Sequence, residues 1–355
     1  MRIILTAGGT GGHIYPALSV LESIKKDKNN EYLYIGTKDR MESDLIPSLN
    51  IPYKSLEVYG LSKNIIKDIQ NIKCVLNGIK ESKKIIKEFK ADAVIAFGGY
   101  VTLPVLIAAK KLKVKTYIHE QNYIPGKVNK YLSKYADAIF ISFEDTKKYF
   151  KNKNIIYTGN PCSERAKTIN PIDKTTLGFT KSKKLILIVM GSMGSSVVND
   201  KLKEFLQTYE EQDKEILFIT GKKLYDDFKD LKVPKSTKIK PYIDNLSGLM
   251  KQTDLIISRA GASTISEILA LDLPSILIPS PYVANNHQYY NALDLDKKGV
   301  SIMLEQDKLN NENLKQTIKS ILDDKKTYID YKNKLKNIKK INSSTEIYNY
   351  IKNNQ

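Results

Sequence analysis

Short runs of β-branched and other apolar residues alternate along this chain with longer stretches in which apolar positions recur at helical spacing. The runs occupy residues 3–6, 32–36, 93–97, 115–119 and 138–142, and then 185–190, 216–220, 255–258 and 275–279. Runs this apolar predict strands buried on both faces, and strand alternating with helix predicts parallel sheets covered by helices. The rhythm breaks at "GNPCSERAKTINP" (residues 159–171), where a glycine and two prolines predict a joint. The strand–glycine–helix theme restarts at Leu185, so the expected fold is α/β with two similar halves, residues 1–160 and 161–340. Open sheets of this kind bind ligands beyond the carboxyl ends of their strands, which puts the expected site in a cleft between the halves.

Glycines collect at three of those strand ends: "AGGTGGH" after residues 3–6, "FGGYVTLP" after 93–96 and "MGSMGSS" after 185–189. After the first, residues 16–21 predict the opening turns of a helix with Pro16 near its start. The loop between is nearly stripped of side chains, as needed when a ligand must approach backbone N–H groups. A dinucleotide fingerprint fails on spacing. Counted from Gly9, G-x-G-x-x-G puts Ile14 where the last glycine belongs, and the strand near Tyr34 ends in Gly36-Thr37 without a ribose-binding acid. No G-x-x-x-x-G-K-[ST] occurs either. Any one such loop reads equally well as a tight turn, but three at strand ends favour an anion site.

A second constellation is "SRAGASTISEILALDLPSILIPSP", residues 258–281. Ala262, Ser263 and Thr264 would expose N–H groups at a helix start, and Glu267 sits one turn inside, where a carboxylate can accept from both hydroxyls of a ribose. Thr264-x-x-Glu267 is equally a capping box that needs no ligand, and the local pattern leaves both readings open. Further upstream, Ile65, Ile69, Ile72, Leu76 and Ile79, with Val75 alongside, form a helical stripe flanked by Lys63, Lys67, Lys73, Lys80, Lys83 and Lys84. Spacing alone suits a core face; the lysine rim suits an anionic membrane surface, and contact with one is expected here.

Composition adds three points. The net charge is +18, of which +11 falls within residues 1–160, and such an excess suits phosphorylated substrates, an anionic membrane or nucleic acid. No stretch approaches 18 consecutive apolar residues and the N-terminus opens on a strand, so neither a membrane span nor a signal peptide is expected. Cys74 and Cys162 lie far apart and the three histidines are scattered, so neither a disulfide nor a metal site is expected, and the compartment is expected to be cytoplasmic.

Taken in order, "GGTGGHIYPA", "GGY", "HEQN", "GNP", "GSMGS", "RAGASTISE" and "NHQYYNA" closely resemble the MurG family of peptidoglycan N-acetylglucosaminyltransferases, over essentially the whole chain. The resemblance implies a GT-B architecture, two Rossmann-like domains facing a cleft, with a C-terminal helix at about residues 341–355 packed back on the first. It implies an inverting, metal-independent transfer of N-acetylglucosamine from UDP-N-acetylglucosamine (UDP-GlcNAc) to the 4-hydroxyl of the muramoyl sugar of lipid I, giving lipid II. The enzyme would be peripheral, on the cytoplasmic side of the cell membrane, and no cofactor is implied.

Residue by residue, the resemblance matches Ile243, in "PYIDNL", to the position that reads the uracil edge, and Ala262, Ser263 and Thr264 to the phosphate-contacting turn. It matches Glu267 to the ribose ligand, Ser192, with Ser195 beside it, to the third glycine loop, and Gln288 to a glutamine on the transferred sugar. Thr10, Gly11, Gly12 and Asn122 match donor-contacting positions of the first half. Two departures stand out. His287-Gln288 occupies a place where some members have two glutamines, and Ser163 one where some have arginine; Arg165 is expected to fill that role from a shifted position.

Among the histidines, His119 reads as a loop brace and His287 as a cap or sugar contact. His13, where loop meets helix, reads as the general base, because an inverting displacement needs a base opposite the leaving group and imidazole titrates near neutrality. The alternative for His13 is a brace bonded to backbone. Rival readings of the whole chain are a glycolipid synthase of the same architecture, a UDP-sugar epimerase and a nucleic-acid-binding protein. The last has the charge but no recognised motif and leaves the glycine loops idle, so no nucleic-acid partner is expected.

Overall fold

The structure is a computed structural model that describes residues 1–60, 65–151, 154–191 and 194–355, with residues 65–70 described by backbone alone. The chain divides into two compact units, Met1–Glu164 with Ile341–Gln355, and Arg165–Lys340. The division falls at Glu164/Arg165 rather than at residue 160, inside the short helix Cys162–Thr168.

Unit 1 is built on a seven-stranded parallel sheet: β1 (Arg2–Ala7), β2 (Glu31–Thr37), β3 (Tyr53–Leu56), β4 (Ala93–Gly98), β5 (Lys115–Glu120), β6 (Ala138–Ile141) and β7 (Ile155–Tyr157), in the order β3-β2-β1-β4-β5-β6-β7. Successive residues of a strand face opposite sides, so Ile3 and Leu5 enter one core and Ile4 the other. The first core is closed by Ile14, Val20 and Ile24 of the helix Gly11–Lys25 and by Ile347 and Ile351 of the helix Ser343–Asn353. Val101, Val105, Leu106 and Ile86 close the second.

Unit 2 repeats the plan with six parallel strands: β8 (Lys184–Val189), β9 (Lys214–Ile219), β10 (Thr237–Lys240), β11 (Leu255–Ser258), β12 (Ser275–Leu277) and β13 (Ile302–Met303), in the order β10-β9-β8-β11-β12-β13. In each sheet the strand order reverses once, between β1 and β4 and between β8 and β11. Such a reversal opens a crevice beyond the carboxyl ends of the two strands.

Two sequence expectations are corrected. The first helix begins at Gly11, not near Pro16, so the open loop is only Gly8-Gly9-Thr10. Pro16 is interior; it has no N–H to give the Gly12 carbonyl, whose usual helical donor is therefore missing. Four strands, β3, β7, β10 and β13, were not expected, and all four are sheet edges.

Candidate active site

At the β1/β4 crevice the first glycine loop is held by its own backbone. Gly8 N–H donates to Gly98 O at 3.1 Å, and Gly9 N–H donates to Glu42 Oε2 at 3.0 Å. Those two amides are consumed by the fold, so the glycines at 8 and 9 serve packing. A Cβ at Gly8 would collide with the Glu42 carboxylate, and one at Gly98, where φ is +112°, would come within 2.8 Å of the His13 ring. The N–H groups of Gly11 and Gly12 open the helix, have no acceptor within it, and receive no side-chain cap from Thr10. Thr10 and Gly12 are exposed beside them.

His13 Nδ1 lies 3.0 Å from Gly8 O. A carbonyl oxygen only accepts, so Nδ1 carries the hydrogen, and in the neutral ring Nε2 carries the lone pair. The ring is thus braced on the backbone, with Nε2 as the lone-pair nitrogen of its neutral form. His119 is fully buried; its Nε2 meets Gly159 O at 3.1 Å, Gln121 Nε2 meets its Nδ1 at 3.2 Å, and burial lowers its pKa to about 4. It is a neutral brace. Next to it, buried Glu120 accepts from the Asn122 backbone N–H at 2.9 Å and side chain at 3.3 Å, and from Gly126 N–H and Asn129 Nδ2. The motif "HEQN" therefore uses its carboxylate to aim Asn122.

In unit 2, Arg259 spans the β8/β11 crevice. Its Nη2 donates to Ser195 Oγ and to Gln306 Oε1, both at 2.7 Å, and its Nη1 to Ile278 O at 3.2 Å. Burial lowers its pKa to about 10, which leaves it cationic at neutral pH. Ser195 stands at the N-cap position of the helix Ser196–Thr208 without a side-chain capping bond, its Oγ being taken by Arg259; Ser192 lies outside the described residues.

The helix Ala262–Ala270 starts at Gly261 without a side-chain cap, so the capping-box reading of Thr264 and Glu267 is corrected: Thr264 already lies inside the helix. The first N–H groups, from Ala262 to Thr264, have no acceptor within the helix, and the buried Ser263 Oγ beside them has no partner among the described residues. Glu267 Oε1 instead accepts from Ser247 Oγ at 2.9 Å. Burial pushes its carboxyl up, against the pull of the Ser247 hydroxyl and the Arg165 charge. Ile243, half-buried, precedes Asn245, whose side chain caps the helix Leu246–Met250 and donates to Asn170 O. Gln288 Oε1 accepts from Ser280 N–H at 2.9 Å, His287 Nδ1 donates to Ala284 O at 2.8 Å, and buried Asn291 ties their helix to Ala260 O.

Unit 1 thus gathers Thr10, Gly11, Gly12, His13 and, one strand away, Asn122. Unit 2 gathers Ser195 at one crevice wall and Ala262, Ser263, Thr264 and Glu267 at the other, with Arg165 acting on Glu267. Sequence reasoning passed over Glu42, Glu120, Ser247, Arg259 and Asn291. Glu42 had a signal: it stands four residues before Ile46 on the helix Met41–Ser48, and both are buried.

The lysine-rimmed stripe divides. On the helix Ile65–Phe89, Gly78 abuts Val58 and Pro104, and Ile79 packs on the core, so Ile79 is not a surface residue of the patch. Ile72 and Leu76 are 54% and 56% exposed, with Lys73, Lys80 and Lys84 exposed around them. Lys63 and the side chains of Ile65, Lys67 and Ile69 lie outside the described residues.

Two Rossmann-like units, each with an uncapped helix start at its crevice, form a scaffold suited to a nucleotide sugar, and comparison with known proteins gives the class, a glycosyltransferase. Residues 3–141 match the glycosyltransferase family 28 N-terminal domain and residues 185–348 the C-terminal domain of that family. The UDP-N-acetylglucosamine--N-acetylmuramyl-(pentapeptide) pyrophosphoryl-undecaprenol N-acetylglucosamine transferase of Bacillus licheniformis is 39% identical, over 99% of this chain and 98% of the relative. The transferase of the same name from Halalkalibacterium halodurans is 40% identical over 91% of each. Among solved structures, Acinetobacter baumannii MurG superposes with a TM-score of 0.81 at 25% identity, covering 99% of both chains. A Staphylococcus aureus MnaA–UDP complex shares the fold, with a TM-score of 0.70 at 17% identity over 99% of this chain and 96% of that one. The chain belongs to the MurG family of glycosyltransferases.

Proposed function

We propose that this chain transfers N-acetylglucosamine from UDP-GlcNAc to the 4-hydroxyl of the muramoyl sugar of an undecaprenyl-diphosphate-linked acceptor, lipid I, with inversion, giving lipid II. Full-length kinship near 40% identity with transferases of that name supports the reaction. The observation that carries the mechanism is the hydrogen bond from His13 Nδ1 to Gly8 O, which leaves Nε2 as the lone-pair nitrogen.

In this reading Nε2 takes the proton of the incoming hydroxyl as its oxygen attacks the anomeric carbon, and UDP leaves from the opposite face. Charge developing on the diphosphate meets the N–H groups from Ala262 to Thr264 and the Ser263 hydroxyl, while Glu267 accepts from the ribose hydroxyls. Ile243 offers backbone to the uracil edge, and Ser192 and Ser195 contact the donor. Arg165, Gln288, Asn122, Thr10, Gly11 and Gly12 complete the donor contacts. The exposed pair Ile72 and Leu76 with its lysine rim rests on an anionic membrane surface at the cytoplasmic side, where a lipid-linked acceptor is found; among the described residues no helix is long and apolar enough to cross a membrane.

The test is transfer of labelled sugar from UDP-GlcNAc to a short-chain lipid I analogue, with UDP-glucose and UDP-N-acetylgalactosamine as competing donors. Selective formation of the disaccharide product is expected; indifference to the donor, or 2-epimerised sugar without transfer, would overturn the reading. His13→Ala is expected to keep UDP binding and melting temperature and to lose at least ~100-fold in turnover. A variant within a few-fold of the parent removes His13 as the base.

A further inference from the structure

The Gly8–Gly9 peptide is hydrogen-bonded at both ends. Its carbonyl accepts from His13 Nδ1 at 3.0 Å, and its N–H donates to Glu42 Oε2 at 3.0 Å. A trans peptide points these groups in opposite directions across one rigid plane, so a carboxylate and an imidazole stand on either side of a single amide. The amide has little freedom to turn. Gly8 N–H is tied to Gly98 O, and a Cβ at Gly99 would collide with Gly8 O.

Glu42 itself is fully buried, and its second oxygen, Oε1, accepts from Thr37 N–H at 3.1 Å and Thr37 Oγ at 2.7 Å. Three donors converge on it and both oxygens accept, the arrangement suited to an ionised carboxylate. Burying such a group is expensive, and a neutral side chain could satisfy one loop N–H more cheaply. The position therefore calls for an explanation beyond packing.

We propose that Glu42 is a positioning residue for His13, acting through the Gly8–Gly9 peptide. The proposal rests on the reading of His13 as the base. The carboxylate fixes the amide plane and polarises it, which makes Gly8 O a stronger acceptor. That acceptor keeps the hydrogen on Nδ1 and the lone pair on Nε2. When Nε2 takes the hydroxyl proton, the ring becomes an imidazolium whose Nδ1–H bond to Gly8 strengthens, while Glu42 keeps accepting from Gly9 N–H and no second proton moves. The logic is that of a carboxylate orienting a catalytic histidine, with a peptide group inserted between them.

Glu42→Gln is the discriminating variant, because its NH2 must face either Gly9 N–H or the Thr37 donors and one contact is lost. The chain has three histidines, so ring 15N spectra of histidine-labelled protein resolve the His13 tautomer directly. The parent is expected to show His13 with hydrogen on Nδ1. Glu42→Gln is expected to mix the tautomers and lower turnover by about 10–100-fold, the range for removing groups that orient a functional histidine, with UDP affinity and KM for UDP-GlcNAc within about twofold. A parent spectrum with hydrogen on Nε2 overturns the proposal even if the variant does not fold. So does a folded Glu42→Gln that keeps the parental tautomer, or one that loses UDP binding along with turnover. Failure of the underlying reading looks different: His13→Ala keeps its turnover while the tautomer still responds to Glu42.

Discussion

Glu267 sits where the fold gains least from it. Burial holds its carboxyl above the ordinary value, so its folded pKa exceeds its unfolded one and ionising it at neutral pH opposes folding. That penalty is absent below about pH 4, where both states are protonated, and appears as pH rises through the folded value. Glu267→Gln keeps the acceptor for Ser247 and sheds the charge. It is expected to melt higher at pH 7.5, by roughly 2–4 °C per kcal/mol relieved, with the two melting curves converging near pH 4. Glu267→Ala is expected to weaken UDP binding by about 1.5–3 kcal/mol in calorimetry, the loss of a charged hydrogen bond. Unchanged UDP affinity would reduce Glu267 to a support for the Ser247 turn. At this scale motifs point to His13 and Glu267, and the structure sets His13 against the Gly8 carbonyl and Glu267 against the Ser247 hydroxyl. The sequence was illegible where a charge turns inward: Glu42 and Glu120 look like solvated acids until three-dimensional neighbours supply their donors, and Arg259 hides between small residues although it bridges the loop after β8 and the end of β12.

Among the elements, the central strands were plain and the edges were not, for a physical reason. A central parallel strand is buried on both faces, so β4 and, after their charged first residues, β8 and β9 read as apolar runs. An edge strand is short and partly wet: β7 is half-buried throughout, β10 carries two lysines, and β13 has two residues. Their pairing comes from the neighbour, not from their own composition. The first helix misled in the opposite direction, since Pro16 reads as a start signal although packing of Ile14 and Ala17 carries the helix back to Gly11. The same contrast sets the expectation for the lysine-rimmed helix. Ile72→Ser with Leu76→Ser is expected to keep melting temperature and UDP binding while abolishing sedimentation with anionic vesicles. Ile79→Ser is expected to destabilise unit 1 by about 2 kcal/mol, as removal of a packed aliphatic side chain does. Vesicle binding that survives the double variant places the membrane contact elsewhere.

For the whole molecule, acid sensitivity is expected to begin at His119. Its folded pKa of about 4 lies below the ordinary 6.5, so its neutral form contributes stability that is complete above pH 6.5 and is lost as pH falls toward 4. Its bond to Gly159 fastens the end of β5 to the stretch leading out of unit 1, so that stretch loosens first. Hydrogen exchange of Tyr157–Asn160 across that window checks this, and His119→Gln, which gains no charge, should flatten the profile.

The helix Ser343–Asn353 gives the molecule an order of manufacture. Ile347 and Ile351 are part of the first core of unit 1; Tyr348 Oη accepts from Asn30 Nδ2 and donates to Asp27, and Tyr117 Oη donates to Asn354 O. All of unit 2 is translated between residue 164 and this helix. The nascent chain therefore makes unit 1 first and finishes it last: while the ribosome is still reading unit 2, the earlier-made unit waits with an apolar wall open. Unit 2, contiguous in sequence, can close as it emerges. The unit holding His13 is then completed only after unit 2 has been delivered in full.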